Sequence, residues 1–133
     1  MNKNVTVGIV VGILVISGSF FYNGKGGVPA KTPLPAVTAV IDPITGKQII
    51  DITAHGGYSP KVVGAKAGIP TIIRVTTKDT YDCSVSLVIP KLSYRKFLDS
   101  NGTEEINISA DQAKGTLNGL CSMGMYSFKV MFQ

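Results

Sequence analysis

From Val37 to the C-terminus the chain is a series of short apolar bursts set between polar breaks. Residues 37–41, 47–52, 61–66, 71–77, 84–89, 104–108, 115–121 and 127–132 are each rich in Val, Ile, Thr or aromatic side chains. Alternation over so few residues, with β-branched types dominant, is the pattern of a half-buried strand. Gly, Pro, Asn and Asp fill the intervals. The pentapeptide Asp42-Pro43-Ile44-Thr45-Gly46, with proline early and glycine late, predicts a hairpin loop. No segment sustains helical periodicity for about ten residues, and 94–100 offers at most a helical turn or two. Seven or eight short strands in the 97 residues 37–133 predict an all-β domain, a β-sandwich or small barrel. A sandwich of this size buries a modest core, which a metal or a disulfide would reinforce.

The first 36 residues follow a different pattern. Residues 5–22 form an 18-residue run without charge, close to the roughly 17–25 residues that a bilayer-spanning helix needs. A signal peptide is the competing reading, with Lys3 as its positive region. Its apolar stretch would normally be shorter, about 7–15 residues, and followed by a small-residue cleavage site. Here Ser17-Gly18-Ser19 lies inside the run, and no cysteine follows it to accept a lipid. A retained transmembrane anchor is therefore expected. The predicted organisation is a short tail (1–4), the anchor (5–22), a Gly/Pro-rich tether (23–36) and one folded domain (37–133). Six glycines and prolines in the tether leave little to bury.

The net charge of +5 changes the picture less than its size suggests. Residues 37–133 carry ten Lys or Arg against eight Asp or Glu, and the remaining positives are Lys3, Lys25 and Lys31, beside the apolar run. Basic residues so placed suit anionic head groups. A nucleic-acid partner would need a basic stripe or stacking aromatics on the domain itself. Neither is present, so nucleic acid is excluded. Charges on the two flanks of the run nearly balance and do not set its orientation.

The candidate chemistry is sulfur. The chain has two cysteines, Cys83 and Cys121, and the second opens Cys121-Ser122-Met123-Gly124-Met125. Thiolate and thioether are soft donors that select Cu(I), whereas Mg²⁺ and Ca²⁺ need oxygen. Zinc takes Cys, His and carboxylate ligands and has no use for methionine. If the loop stays extended, residues two apart point to one side, and the three sulfurs of the pentapeptide converge. Cys83, where a loop meets the strand at 84–89, would face them at one pole.

Several motifs then carry a resemblance. His55-Gly56-Gly57-Tyr58-Ser59-Pro60, Lys66-Ala67-Gly68-Ile69-Pro70, Asp82-Cys83, Val88-Ile89-Pro90 and the sulfur pentapeptide together resemble a cupredoxin-like domain. More narrowly, they are similar to the membrane-anchored cupredoxin copper chaperones of bacteria. The resemblance spans about residues 49–132, and the N-terminal apolar run agrees with it. It implies a Greek-key β-sandwich on the extracytoplasmic side of the cell membrane. It also implies Cu(I) held by Cys83, Cys121, Met123 and Met125 and passed to a copper-exporting P-type ATPase.

The departure from ordinary cupredoxins is informative. A blue-copper site uses two His, one Cys and a weak axial Met. This chain has one histidine, His55, and a cysteine stands where the upstream histidine ligand would be. An all-sulfur site should hold copper as Cu(I) without cycling, which argues against an electron-transfer cupredoxin. Two bridging thiolates among four sulfurs would allow one or two ions. His55 is a possible auxiliary ligand or a solvated loop residue. The competing structural reading pairs Cys83 with Cys121 in a disulfide, giving a metal-free extracellular interaction domain, with the methionines as core filler. No catalytic constellation is found: Asp79 and Asp82 read as an acidic loop, and Glu104-Glu105 as a solvated strand start. The chain is not expected to be an enzyme.

Overall fold

The computed structural model describes residues 37–133. The expected anchor at 5–22 and tether at 23–36 lie outside the described residues. Among the described residues, no helix is long and apolar enough to cross a membrane.

The described chain is an all-β sandwich. Its strands are β1 (Val37–Thr38), β2 (Val40–Ile41), β3 (Gln48–Ala54), β4 (Tyr58–Ser59), β5 (Val62–Ala65), β6 (Thr71–Thr77), β7 (Ser86–Ile89), β8 (Tyr94–Phe97), β9 (Gly102–Ile108), β10 (Gly115–Cys121) and β11 (Ser127–Phe132). One sheet runs β1-β5-β11-β10-β7-β8, and the other runs β2-β3-β6-β9 with β4 beside β3. The order is non-sequential because the chain repeatedly changes sheets. That is why β3 and β6, and β5 and β11, pair in parallel.

Period-two patterning accounts for the core. Ile50, Ile52 and Ala54 on β3 point inward with Ile73 and Val75 on β6 and Ile106 and Ile108 on β9. Leu87, Ile89, Leu117, Phe128, Val130 and Phe132 meet them from the opposite sheet. Gln48 ties the sheets at one end: its side-chain amide donates to the Lys66 carbonyl and accepts from the Lys66 amide, both at 2.7 Å.

The hairpin expected at 42–46 forms. The Gly46 amide donates to the Asp42 carbonyl at 2.9 Å, and Gly46 takes a positive φ of 66°. Two expectations fail. The stretch 94–100, expected to allow only a helical turn or two, contributes β8, which pairs with β7 from Ser86↔Phe97 to Ile89↔Tyr94. A helix of so few residues has little to stabilise it, whereas β7 offers an open edge. The 3₁₀ turn Pro90–Leu92, closed by Ser93 in the left-handed region, turns the chain back onto that edge. The segment 37–41 is not one strand, because it breaks at Ala39. That residue's amide bonds the Gly64 carbonyl at 2.7 Å, and β1 and β2 join different sheets.

Candidate metal centre

The sulfur residues gather at one pole, by a different route from the extended loop expected. β10 turns Leu117, Gly119 and Cys121 toward the core, and Cys121, its last residue, is fully buried. Pairing of Cys121 with Leu87 sets it beside the start of β7. Just upstream, Cys83 opens the 3₁₀ turn Cys83–Val85 and is half-buried. The two cysteines adjoin each other, each perturbing the other's thiol, and both are free.

The loop after Cys121 is a turn. The Gly124 amide donates to the Cys121 carbonyl at 2.8 Å, and Gly124 adopts φ 71°, a conformation glycine accepts at little cost. The alternation argument therefore does not apply between Cys121 and Met125. The side chains of Met123 and Met125 are 74% and 66% exposed. What the loop brings to the buried sulfur is main-chain N–H groups. The Tyr126 amide donates to Cys121 Sγ at 3.4 Å, and the Met125 and Met123 amides also face it.

The two thiols are consequently unequal. Burial would raise Cys121, but hydrogen bonds from the Cys83 thiol and from the Tyr126, Met125 and Met123 amides bring it below the ordinary thiol value. Cys83 moves upward, first through its bond to Cys121 and then through burial. The amide donors favour the thiolate at Cys121, the form that binds a soft metal.

Two residues that the sequence reading left among the ordinary framework and loop positions hold the Cys83 turn. The Asp82 carboxylate accepts from the Ser84 amide at 2.8 Å, from the Ser84 hydroxyl at 2.5 Å and from the Gly56 amide at 2.8 Å. These bonds depress its pKa. An Asx-type cap with Ser two residues on was the available signal. Tyr58 is buried, donates to the Ser84 carbonyl at 2.9 Å, and meets the Phe128 ring edge-on at 5.2 Å. Burial and the nearby cysteines push its pKa up, so it stays protonated as a donor.

His55 lies on the loop that Asp82 ties to the Cys83 turn. Its Nδ1 is 3.1 Å from the Lys78 carbonyl. A carbonyl only accepts, so Nδ1 is the donor in this contact and Nε2 is the nitrogen left outside it. With Met125 and Tyr126, His55 borders an open cleft of about 300 Å³. Among the described residues, no three His, Cys, Asp or Glu side chains converge. An ion held at this pole would draw on the thiol pair and the methionine sulfurs, a donor set that fits Cu(I).

The cupredoxin-like domain family matches residues 34–131, most of the chain. This chain belongs to the cupredoxin-like domain family. Solved structures agree with that placement. The metal binding domain of the Cu(I) exporting P-type ATPase CopA of Streptococcus pneumoniae D39, determined with Cu(I), superposes with a TM-score of 0.65 at 20% identity, covering 75% of this chain and 98% of that one. A copper binding protein solved in the apo form by NMR superposes with a TM-score of 0.64 at 25% identity, covering 72% and 95%. The comparison with curated proteins gives no match. The cupredoxin-like fold is therefore shared with copper-binding domains, and its usual pair of imidazoles is missing from this chain, which has one histidine.

Proposed function

We propose that the protein is a membrane-anchored, extracytoplasmic Cu(I) chaperone that passes copper by ligand exchange to a copper-exporting P-type ATPase. The carrying observation is the thiol pair Cys83–Cys121 in contact beneath a loop that displays Met123 and Met125 to solvent. The likeness to copper-binding domains, one of them from a Cu(I) exporting P-type ATPase, supports the reading.

In this reading Cys121 and Cys83 hold the tighter ion, since thiolate binds Cu(I) more strongly than thioether. Met123 and Met125 form the labile side, where a partner's sulfur enters as a methionine sulfur leaves. The donor count admits one or two ions, and His55 Nε2 is a candidate auxiliary donor. No bond of a substrate is made or broken apart from metal–ligand exchange, so the protein is a carrier and not an enzyme.

Anaerobic Cu(I) titration against a competing chelator, with mass spectrometry, tests this. Cys121→Ser should abolish tight binding. Met123→Leu with Met125→Leu should retain it and slow transfer to an acceptor. Tight binding that survives in Cys121→Ser, or a visible thiolate-to-Cu(II) band in the native complex, would sink the assignment. The second result would favour electron transfer.

A further inference from the structure

Apart from Val37, which pairs with Val63 midway along its sheet, the large apolar side chains exposed on the described residues fall into two groups at opposite ends of the sandwich. Tyr81, Phe97, Met123 and Met125 surround the sulfur pole, while Val40, Ile41 and Ile44 form a short row along the hairpin at the other end. The register of β3 separates the two groups. Its first residue, Gln48, pairs with Ile41, whereas its last, Ala54, leads to the His55–Gly57 loop bound to Asp82. Seven strand residues at about 3.3 Å each place the ends roughly 20 Å apart. Ile44, at the tip of the hairpin turn, is 92% exposed.

The turn that carries this isoleucine is fixed by the side chain of Asp42. The two Asp42 carboxylate oxygens accept from the Ile44 amide and the Thr45 hydroxyl, so the turn holds its apolar tip outward. Strand and loop ends at this pole also carry Lys47, Lys66, Lys91 and Lys114, against Asp42 and Asp111. The chain enters the domain at Val37, three residues ahead of this row. The expected tether of 14 residues, 23–36, spans about 20 Å as a flexible coil.

We infer that this row is a lipid-facing surface, with Ile44 and Val40 seated at the head-group boundary of an anionic bilayer and the lysines over its phosphates. The inference rests on the anchor proposed for residues 5–22. Tethering makes the contact intramolecular in effect, so a few apolar side chains and weak electrostatic attraction suffice. Exposed apolar residues rimmed by charge are a common mark of such a contact. The thiol pair then faces away from the membrane, about 20 Å off the head groups, with Met123 and Met125 turned toward the aqueous side.

The chain contains no tryptophan, so an introduced indole reports without background. Ile44→Trp and, at the opposite pole, Phe97→Trp are placed singly in the full-length protein. Each is reconstituted in phosphatidylglycerol-rich vesicles with and without brominated lipid. Flotation after alkaline extraction reports the anchor separately. The expected result is flotation of both, with blue-shifted, bromine-quenched emission at position 44 and unquenched emission at position 97. Flotation with unquenched emission at position 44 overturns the surface and leaves the anchor standing. A blue shift at position 44 that follows protein concentration and ignores bromine means that a second copy covers the row, and also overturns it. Failure to float overturns the anchor and this surface together.

Discussion

Gly119 is the position where one added methyl group should do most harm. It lies on the inward row of β10 between Leu117 and Cys121 and pairs across the strands with Phe128. A Cβ there would come 2.2 Å from Phe128 Cε1 and Cζ. Carbon atoms rest at about 3.5 Å or more, so the ring would have to withdraw by over about 1 Å. It has little room to move, because Phe128 is 2% exposed and its ring also packs edge-on with Tyr58. Overpacking of this kind costs about 1–3 kcal/mol, and loss of the ring pair adds about 0.5–1.5 kcal/mol. Alanine recovers roughly 0.5–1 kcal/mol by restricting the unfolded chain. Gly119→Ala should therefore destabilise the apo domain by about 2–3 kcal/mol, roughly 10 °C or more in Tm for a domain this size. Thermal and urea denaturation by circular dichroism would measure it. The decisive assay is the double-mutant cycle with Phe128→Leu, in which most of the penalty should vanish because the clash partner is gone. A penalty below about 0.5 kcal/mol, or one unchanged with leucine at 128, would refute the reasoning.

Three further outcomes follow from the same structure. Gln48→Met keeps the volume but leaves the Lys66 amide and carbonyl without their 2.7 Å partners, and should cost about 2–4 kcal/mol in urea denaturation. Glu104 accepts from Lys96 Nζ at 2.7 Å and from the Tyr94 hydroxyl at 2.8 Å, bonds that lower its pKa in the folded state. A depressed carboxyl stabilises the fold above its unfolded value, about 4.3, and loses that contribution as pH falls through the folded value. Glu104→Gln should thus cost under about 1 kcal/mol at neutral pH. The gap from wild type should close in denaturation series taken below about pH 4, and a constant gap would contradict the linkage. Met123→Leu with Met125→Leu should change stability by no more than about 0.5 kcal/mol, because both side chains project into solvent. A larger loss in thermal melts would mean they pack in the fold.

The strands were legible wherever six or seven residues alternated, as in β3, β6, β10 and β11, because period two records which face is buried. The cysteines and methionines of this pole stood out in the sequence by residue type, as soft donors. The remaining features depended on neighbours that no local pattern names. β8 is four residues long and is ordered by the β7 edge. Ala39 breaks a continuous apolar run because the Gly64 carbonyl captures its amide. The 121–125 loop reads as extended from spacing alone, yet Gly124 lets it close on the Cys121 carbonyl. Asp82 looks like any acidic loop residue until Gly56, 26 positions away, is seen to bond it.

That closed turn bears on how such a site would work. Had the loop been extended, all its sulfurs would have faced one side and enclosed an ion together. Instead, Cys121 is fixed at a strand end, inside the sandwich, with main-chain N–H groups of the loop directed at its sulfur. Asp82 and Tyr58 hold the Cys83 turn through Ser84, so the second thiol is also set by the framework. The methionines hang from the same loop without packing constraints. In the proposed carrier, retention and release would fall to different residues, the methionines standing two and four positions after Cys121. Tight binding would draw on the rigid thiols, and exchange on side chains that can follow an incoming partner without disturbing the fold. A site meant to shuttle electrons gains from rigidity at every ligand, whereas a carrier needs rigidity at only part of its donor set.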